Sequence, residues 1–125
     1  IKYPISAIFI DVRKFKVFND EEGHAAGDEV LRRVAALFKK VFRQEVDIVC
    51  RIGGDEFAVL LPETTIDGVR AAVNRLQGAA KELYSPGGRL ISLDCGIAEV
   101  EGSSLEELFK KADRSMYQAK KGLKT

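Results

Sequence analysis

Hydrophobic positions along this chain follow two periods, one of strands and one of helices. SAIFIDV, residues 6–12, is a short apolar run rich in Ile, Phe and Val and predicts a buried strand, with Asp11 near its C-terminal end. The stretch that follows, RKFKVFNDEEGHAAGD, is polar and marked by glycines. From Asp28 onward, Val30, Leu31, Val34, Leu37, Phe38 and Val41 recur at helical spacing. DIVCRIGGDEFAVLLPE then reads as strand, tight Gly-Gly turn, strand: a hairpin. A second helix is predicted from Thr64 or Thr65, with Thr64 and Asp67 as a capping pair and a stripe of Val69, Val73, Leu76, Ala80 and Leu83. SPGG at 85–88 breaks it, and LISLDCGIAEV at 90–100 is the next strand region. Ser104 and Glu107 form a capping box for a last helix, which carries Leu105, Leu108, Phe109, Ala112, Met116 and Ala119 on one face. The order β-α-β-β-α-β-α predicts an α+β fold in which helices flank a ferredoxin-like or palm-like sheet containing antiparallel strands.

Composition narrows the class. A length of 125 residues fits one domain over 1–125, and 46% apolar with 31% charged residues describes a chain that folds around a core. Lys and Arg number 20 against 19 Asp and Glu, a net charge of +1, which argues against a nucleic-acid polymer as partner. Phosphate binding must then come from locally placed cations and main-chain N–H groups. Two cysteines, Cys50 and Cys95, sit inside apolar runs and are expected as buried reduced thiols. His24, the one histidine, has no Cys/His spacing around it that would suit zinc. No signal peptide or membrane-spanning run is visible, so a cytoplasmic domain is expected. The strand-like start suggests a piece excised from a longer protein.

The chemistry concentrates in Arg51-Ile52-Gly53-Gly54-Asp55-Glu56-Phe57. Two glycines suit a tight turn with unusual backbone angles and close ligand approach. Asp55 and Glu56 follow at its tip, on opposite faces of the emerging strand. Asp11 ends an otherwise apolar strand, where a carboxylate must be hydrated, paired or metal-bound. With the first strand beside the hairpin, Asp11 and Asp55 would converge. Two carboxylates with few other protein ligands suit Mg²⁺ whose shell is completed by substrate phosphates. On local sequence, Asp28 reads as a helix N-cap, Glu56 as a hydrated strand carboxylate, His24 as a structural hydrogen-bonding group, and Lys110 with Arg114 as a solvated cationic helix face.

RIGGDEF matches the signature of GGDEF domains. DVRKFKVFNDEEGHAAGDEVL resembles that family's first-strand block and FKKADRSMYQAKKG its final helix, so the resemblance runs through nearly the whole chain. It implies a diguanylate cyclase that condenses two GTP molecules into cyclic di-GMP and pyrophosphate. It implies that Asp11, the main-chain carbonyl of Val12 and Asp55 hold two Mg²⁺ ions, with Mn²⁺ as an alternative. It makes Asp55 the proton acceptor, with Glu56 supporting metal or geometry. It assigns guanine recognition to Asn19 and Asp28, and places His24 near the ribose or the loop structure. Main-chain N–H groups around Lys14, Phe15 and Lys16 would cradle the β- and γ-phosphates, with Lys110 and Arg114 as phosphate clamps. Because one chain holds one GTP, a second GGDEF domain is the implied partner, in a symmetric dimer set up by a preceding sensor or regulatory domain.

Three departures stand out. The family's R-x-x-D product-inhibition pattern reads here as Gln44-Glu45-Val46-Asp47, with Arg43 one residue early. Arg13 stands where many members carry a second Asp. The family's helical lead-in is missing before Ile1, which is expected to reflect truncation. The alternatives are a catalytically silent GTP-binding regulatory module, which typically loses the metal acids retained here, and an RNA-binding module, which would need exposed aromatics on the central strands.

Overall fold

The computed structural model describes residues 4–101 and Lys110, which is helical and exposed. The described elements run β1 (Pro4–Val12), α1 (Phe15–Glu22), α2 (His24–Val41), β2 (Ile48–Arg51), β3 (Glu56–Pro62), α3 (Ile66–Ala80) and β4 (Leu93–Glu101). The strands form one sheet in the order β2-β3-β1-β4, and every pairing is antiparallel. β1 therefore lies inside the sheet, and every residue from Ser6 to Val12 is buried.

Alternation along β1 divides its side chains between two layers. Ile8, Ile10 and Val12 join Phe18 of α1, Val30, Val34 and Phe38 of α2, and Val69 and Leu76 of α3 in the main core. Ala7 and Phe9 face the other way and cluster with Ala58 and Ala98. Phe38 anchors α2 to the hairpin, its ring 5.1 Å from that of Phe57 and edge-on to it.

Six sequence expectations are corrected. The polar stretch after the first strand holds α1, an eight-residue helix whose only buried residue is Phe18; its apolar residues, Phe15, Val17 and Phe18, are confined to its first half, too short a run to announce a helix. α2 begins at His24 rather than Asp28, because Gly23, with φ 91°, takes the N-cap position. Asp28 is thus an exposed residue one turn inside α2 and caps nothing. The cap of α3 is Thr65, whose Oγ1 accepts from the Gly68 N–H, while Thr64 donates its hydroxyl to the Pro62 carbonyl. Cys50 is exposed, because β2 is an edge strand with all four residues open to solvent. Of the strand region at 90–100, Leu90 instead forms a bridge with Tyr84, and β4 starts at Leu93. The expected last helix, with its Ser104–Glu107 box and its face from Leu105 to Ala119, lies outside the described residues except for Lys110.

Candidate functional site

The C-terminal end of β1 and the start of β3 meet at one end of the sheet. Asp11 pairs in register with Glu56, and the Val12 N–H donates to the Asp55 carbonyl at 3.1 Å. Asp11, Val12, Asp55 and Glu56 are thereby joined through main-chain pairing. Asp11 is 5% exposed, while Asp55 and Glu56 are half-buried. On its other side Asp11 pairs with Asp94 of β4. Directly opposed residues share a sheet face, so Asp11, Glu56 and Asp94 form a carboxylate row across three strands. Such a row would repel itself, and Arg13 relieves it by donating from Nε at 3.0 Å and from a terminal nitrogen at 2.8 Å to Asp94 Oδ1. The charge of Asp94 and burial together push the neighbouring Cys95 thiol up to about 12, burial being the larger cause.

The turn between β2 and β3 is held by a residue that sequence reasoning left without a role. Arg51 donates from Nε to the Gly53 carbonyl at 3.1 Å and from a terminal nitrogen to the Gly54 carbonyl at 2.6 Å. The Ile52 and Gly53 N–H groups both donate to the Glu56 carbonyl. Among the described residues the left-handed glycines are Gly23 and Gly88, so Gly53 and Gly54 do not need the unusual angles expected of them. A Cβ on Gly54 would meet open space. What the pair leaves is a side-chain-free approach beside Asp55.

The helical side of the site is built from α1 and α2. Lys14 adopts a left-handed conformation, φ 51°, and opens α1, so that Phe15 and Lys16 occupy its first turn. Asn19 lies one turn on, half-buried, against Gly27 of α2. A Cβ on Gly27 would collide with Asn19 Oδ1 and lie 2.9 Å from its Cγ. Gly27 therefore makes room for the Asn19 amide next to Asp28. A glycine inside a helical pattern was the available signal for such close approach. Asp28 lines an open cleft of about 290 Å³ together with Leu31, Arg32, Ala35, Arg51 and Phe57. Asn19 is not part of that lining. His24 is exposed at the start of α2. Lys110 is exposed, and Arg114 lies outside the described residues.

The stretch that departs from the product-inhibition pattern is taken up structurally. Arg43 donates to Asp47 Oδ1 at 2.7 Å and to Thr64 Oγ1 at 3.0 Å, and Asp47 returns an acceptor to the Arg43 N–H at 2.8 Å. This pairing holds the Arg43 guanidinium above its ordinary pKa. Phe9 and Phe57, the aromatics nearest the acids, are 7% and 5% exposed and face opposite layers, which leaves no stacking platform there.

Among the described residues no three His, Cys, Asp or Glu side chains gather as a metal cluster. The donors at the strand ends are hard oxygens and few. That set fits a Mg²⁺ ion that takes most of its shell from phosphate oxygens and water.

Comparison with known proteins gives one consistent result. The family model described as diguanylate cyclase, GGDEF domain, matches residues 1–124. The chain is 39% identical over 116 residues to the diguanylate cyclase DgcP of Pseudomonas aeruginosa, covering 90% of this chain and 17% of that protein. It is 39% identical over 124 residues to the response regulator PleD of Caulobacter vibrioides, covering 94% of this chain and 27% of that protein. The chain thus spans about a quarter or less of the length of these relatives. Among solved structures, the active GGEEF domain of a diguanylate cyclase from Vibrio cholerae superposes with a TM-score of 0.88 at 28% identity, covering 96% of this chain and 78% of that one. The GGDEF domain of DgcB from Caulobacter crescentus, solved with c-di-GMP, gives 0.84 at 28% identity, covering 95% and 73%.

Proposed function

The chain belongs to the GGDEF family of diguanylate cyclase domains, and we propose that it is itself active, condensing two GTP molecules into cyclic di-GMP. The observation that carries this reading is the junction of β1 with the GGDEF turn, where Asp11 pairs with Glu56 and Val12 bonds to Asp55. A catalytically silent module has no need to keep acids at both strand ends.

In each half-reaction the 3′-oxygen of one GTP forms a bond to the α-phosphorus of the other. The bond from that phosphorus to the β-phosphate bridge breaks, and pyrophosphate leaves. Asp55, half-buried at the turn, accepts the 3′-hydroxyl proton. Asp11, the Val12 carbonyl and Asp55 would hold Mg²⁺, with Glu56 supporting them; when bound, the ion neutralises phosphate charge and lowers the hydroxyl pKa. Asn19 and Asp28 orient guanine, since a carboxylate accepts from its N1 and N2 hydrogens and an amide donates to its acceptors. The first turn of α1, at Phe15 and Lys16, presents N–H groups to the terminal phosphates, the anion-binding end of a helix. Lys110 and Arg114 add cations, and His24 lies on the ribose side. Each chain supplies one GTP, so two copies face each other in the active unit, brought together by a regulatory domain elsewhere in the parent protein.

The test is to incubate the purified domain at high concentration with GTP and Mg²⁺ and to separate the nucleotides by chromatography, with Asp55→Ala alongside. Cyclic di-GMP from the parent chain, reduced by roughly a thousandfold or more in the variant, is the expected result. A chain that stays silent even when fused to a dimeric coiled coil, yet binds Mg²⁺–GTP, would identify a regulatory module instead.

A further inference from the structure

α1 is a poor helix by its own sequence. Its eight residues span about 12 Å, well below the length at which an isolated helix holds in water. Its N-cap, Lys14, makes no side-chain capping bond, and its last turn has no basic residue. Glu21 and Glu22 stand at the C-terminal end instead, where the helix dipole disfavours negative charge. Phe18 is its only buried residue.

The Glu22 carboxylate is nevertheless the best-coordinated group on α1. Its Oε1 accepts from the Gly87 N–H at 2.7 Å and its Oε2 from the Ser85 hydroxyl at 2.8 Å. Ser85, 2% exposed, also accepts from the Arg89 N–H at 3.0 Å, and Arg89 adds ion pairs to Glu22 at 3.7 Å and to Glu21. A Cβ on Gly87 would fall 2.5 Å from Glu22 Oε1, so the turn is shaped around this carboxylate. The turn is itself braced, because the Ser85 N–H donates to the Arg89 carbonyl, the Ile91 N–H to the Leu83 carbonyl, and Arg33 of α2 to the Tyr84 carbonyl.

We propose that Glu22 is a positioning residue for nucleotide binding, clamping α1 to the 85–89 turn so that Asn19 and the first turn at Phe15 and Lys16 are held ready for substrate. The inference rests on the GTP-binding reading above. It assigns Glu22 no contact with the nucleotide. Its effect passes through the position of α1.

Glu22→Ala, Glu22→Gln and a control, Glu82→Gln at an exposed site, are compared with the parent chain by amide hydrogen exchange and by Mg²⁺–GTP kinetics. In Glu22→Ala, exchange over residues 16–22 accelerates roughly tenfold while α2 and α3 keep their protection. The KM for GTP rises about fivefold with kcat within about twofold, the pattern of lost uniform binding. Glu22→Gln keeps one acceptor oxygen, which suits the Gly87 N–H, and turns a donating amide toward the Ser85 hydroxyl; it recovers part of both losses, and Glu82→Gln changes neither. Unchanged exchange over α1, loosening spread equally through α2 and α3, or a loosened α1 with unchanged KM would each overturn the proposal. If the parent chain binds no GTP, the cyclase reading fails and the nucleotide role of Glu22 fails with it. The exchange result then still reports whether Glu22 clamps α1.

Discussion

α1 and α2 carry comparable shares of the residues proposed to face the nucleotide and are stabilised in opposite ways. α2 has 18 residues, buries Val30, Leu31, Val34, Leu37 and Phe38 along one stripe, and ends in Lys39 and Lys40, which suit its dipole. α1 has eight residues, buries Phe18, and ends in acids that oppose its dipole. The stability of α2 comes from its own amphipathic face. That of α1 comes from neighbours: the Glu22 clamp at one end and the glycine-lined seat of Asn19 against α2 at the middle. The comparison teaches that residues of one site need not share one source of order. The sheet repeats the contrast, since β1 is buried from Ser6 to Val12 while β2 is exposed along its length.

The cysteines read the sheet's contrast most sharply. Cys95, with its thiol pushed up to about 12, keeps its proton throughout ordinary buffers. At pH 8 only about one molecule in ten thousand carries the reactive thiolate there. Thiol-specific alkylation followed by peptide mass mapping should therefore modify exposed Cys50 and leave Cys95 intact until the chain is unfolded. Equal labelling of both would erase the distinction between centre and edge. The sign for stability follows from the same shift. The unfolded chain ionises Cys95 first, so this contribution is fully present below about pH 9 and is lost as pH rises toward 12.

A change at the seam between the helices comes next. Gly27→Ala puts a methyl group where the Asn19 amide lies, and either that amide or α1 must move. GTP affinity measured by titration calorimetry should fall about tenfold, roughly 1.4 kcal/mol. An unchanged affinity would mean that the seat of Asn19 has no bearing on nucleotide binding.

The smallest expected effect concerns Asp28. Since Gly23 holds the cap position, Asp28→Ala should leave thermal stability within about 0.5 kcal/mol. A true N-cap would cost about 1 kcal/mol. GTP affinity should still fall in the same variant. A stability loss without an affinity loss would return Asp28 to a purely structural part.

Much of this was legible beforehand because it depended on local patterns. The apolar run ending in Asp11, the Gly-Gly hairpin with Asp55 and Glu56, and the stripes of α2 and α3 are all visible as period 2 or period 3.6. The family was legible as a resemblance, since RIGGDEF matches its signature and the blocks around Asp11 and at the end of the chain follow in the same order. Asp94 carried the same lone-acid signal as Asp11 inside LISLDCGIA, and its partner Arg13 could be named only once β4 lay beside β1. Cys50 misled because an apolar run looks alike at the centre and at the edge of a sheet.

The residue order by itself determined the strand and helix segments with strong periodicity, the hairpin and the family, because each is written in neighbours a few positions apart. Only the tertiary structure decided which strand is interior, that a polar stretch becomes a helix, and that Glu22 meets Ser85 and Gly87 some sixty residues away. Those outcomes depend on contacts between distant segments, and a weak local preference such as that of α1 takes its conformation from whatever it packs against.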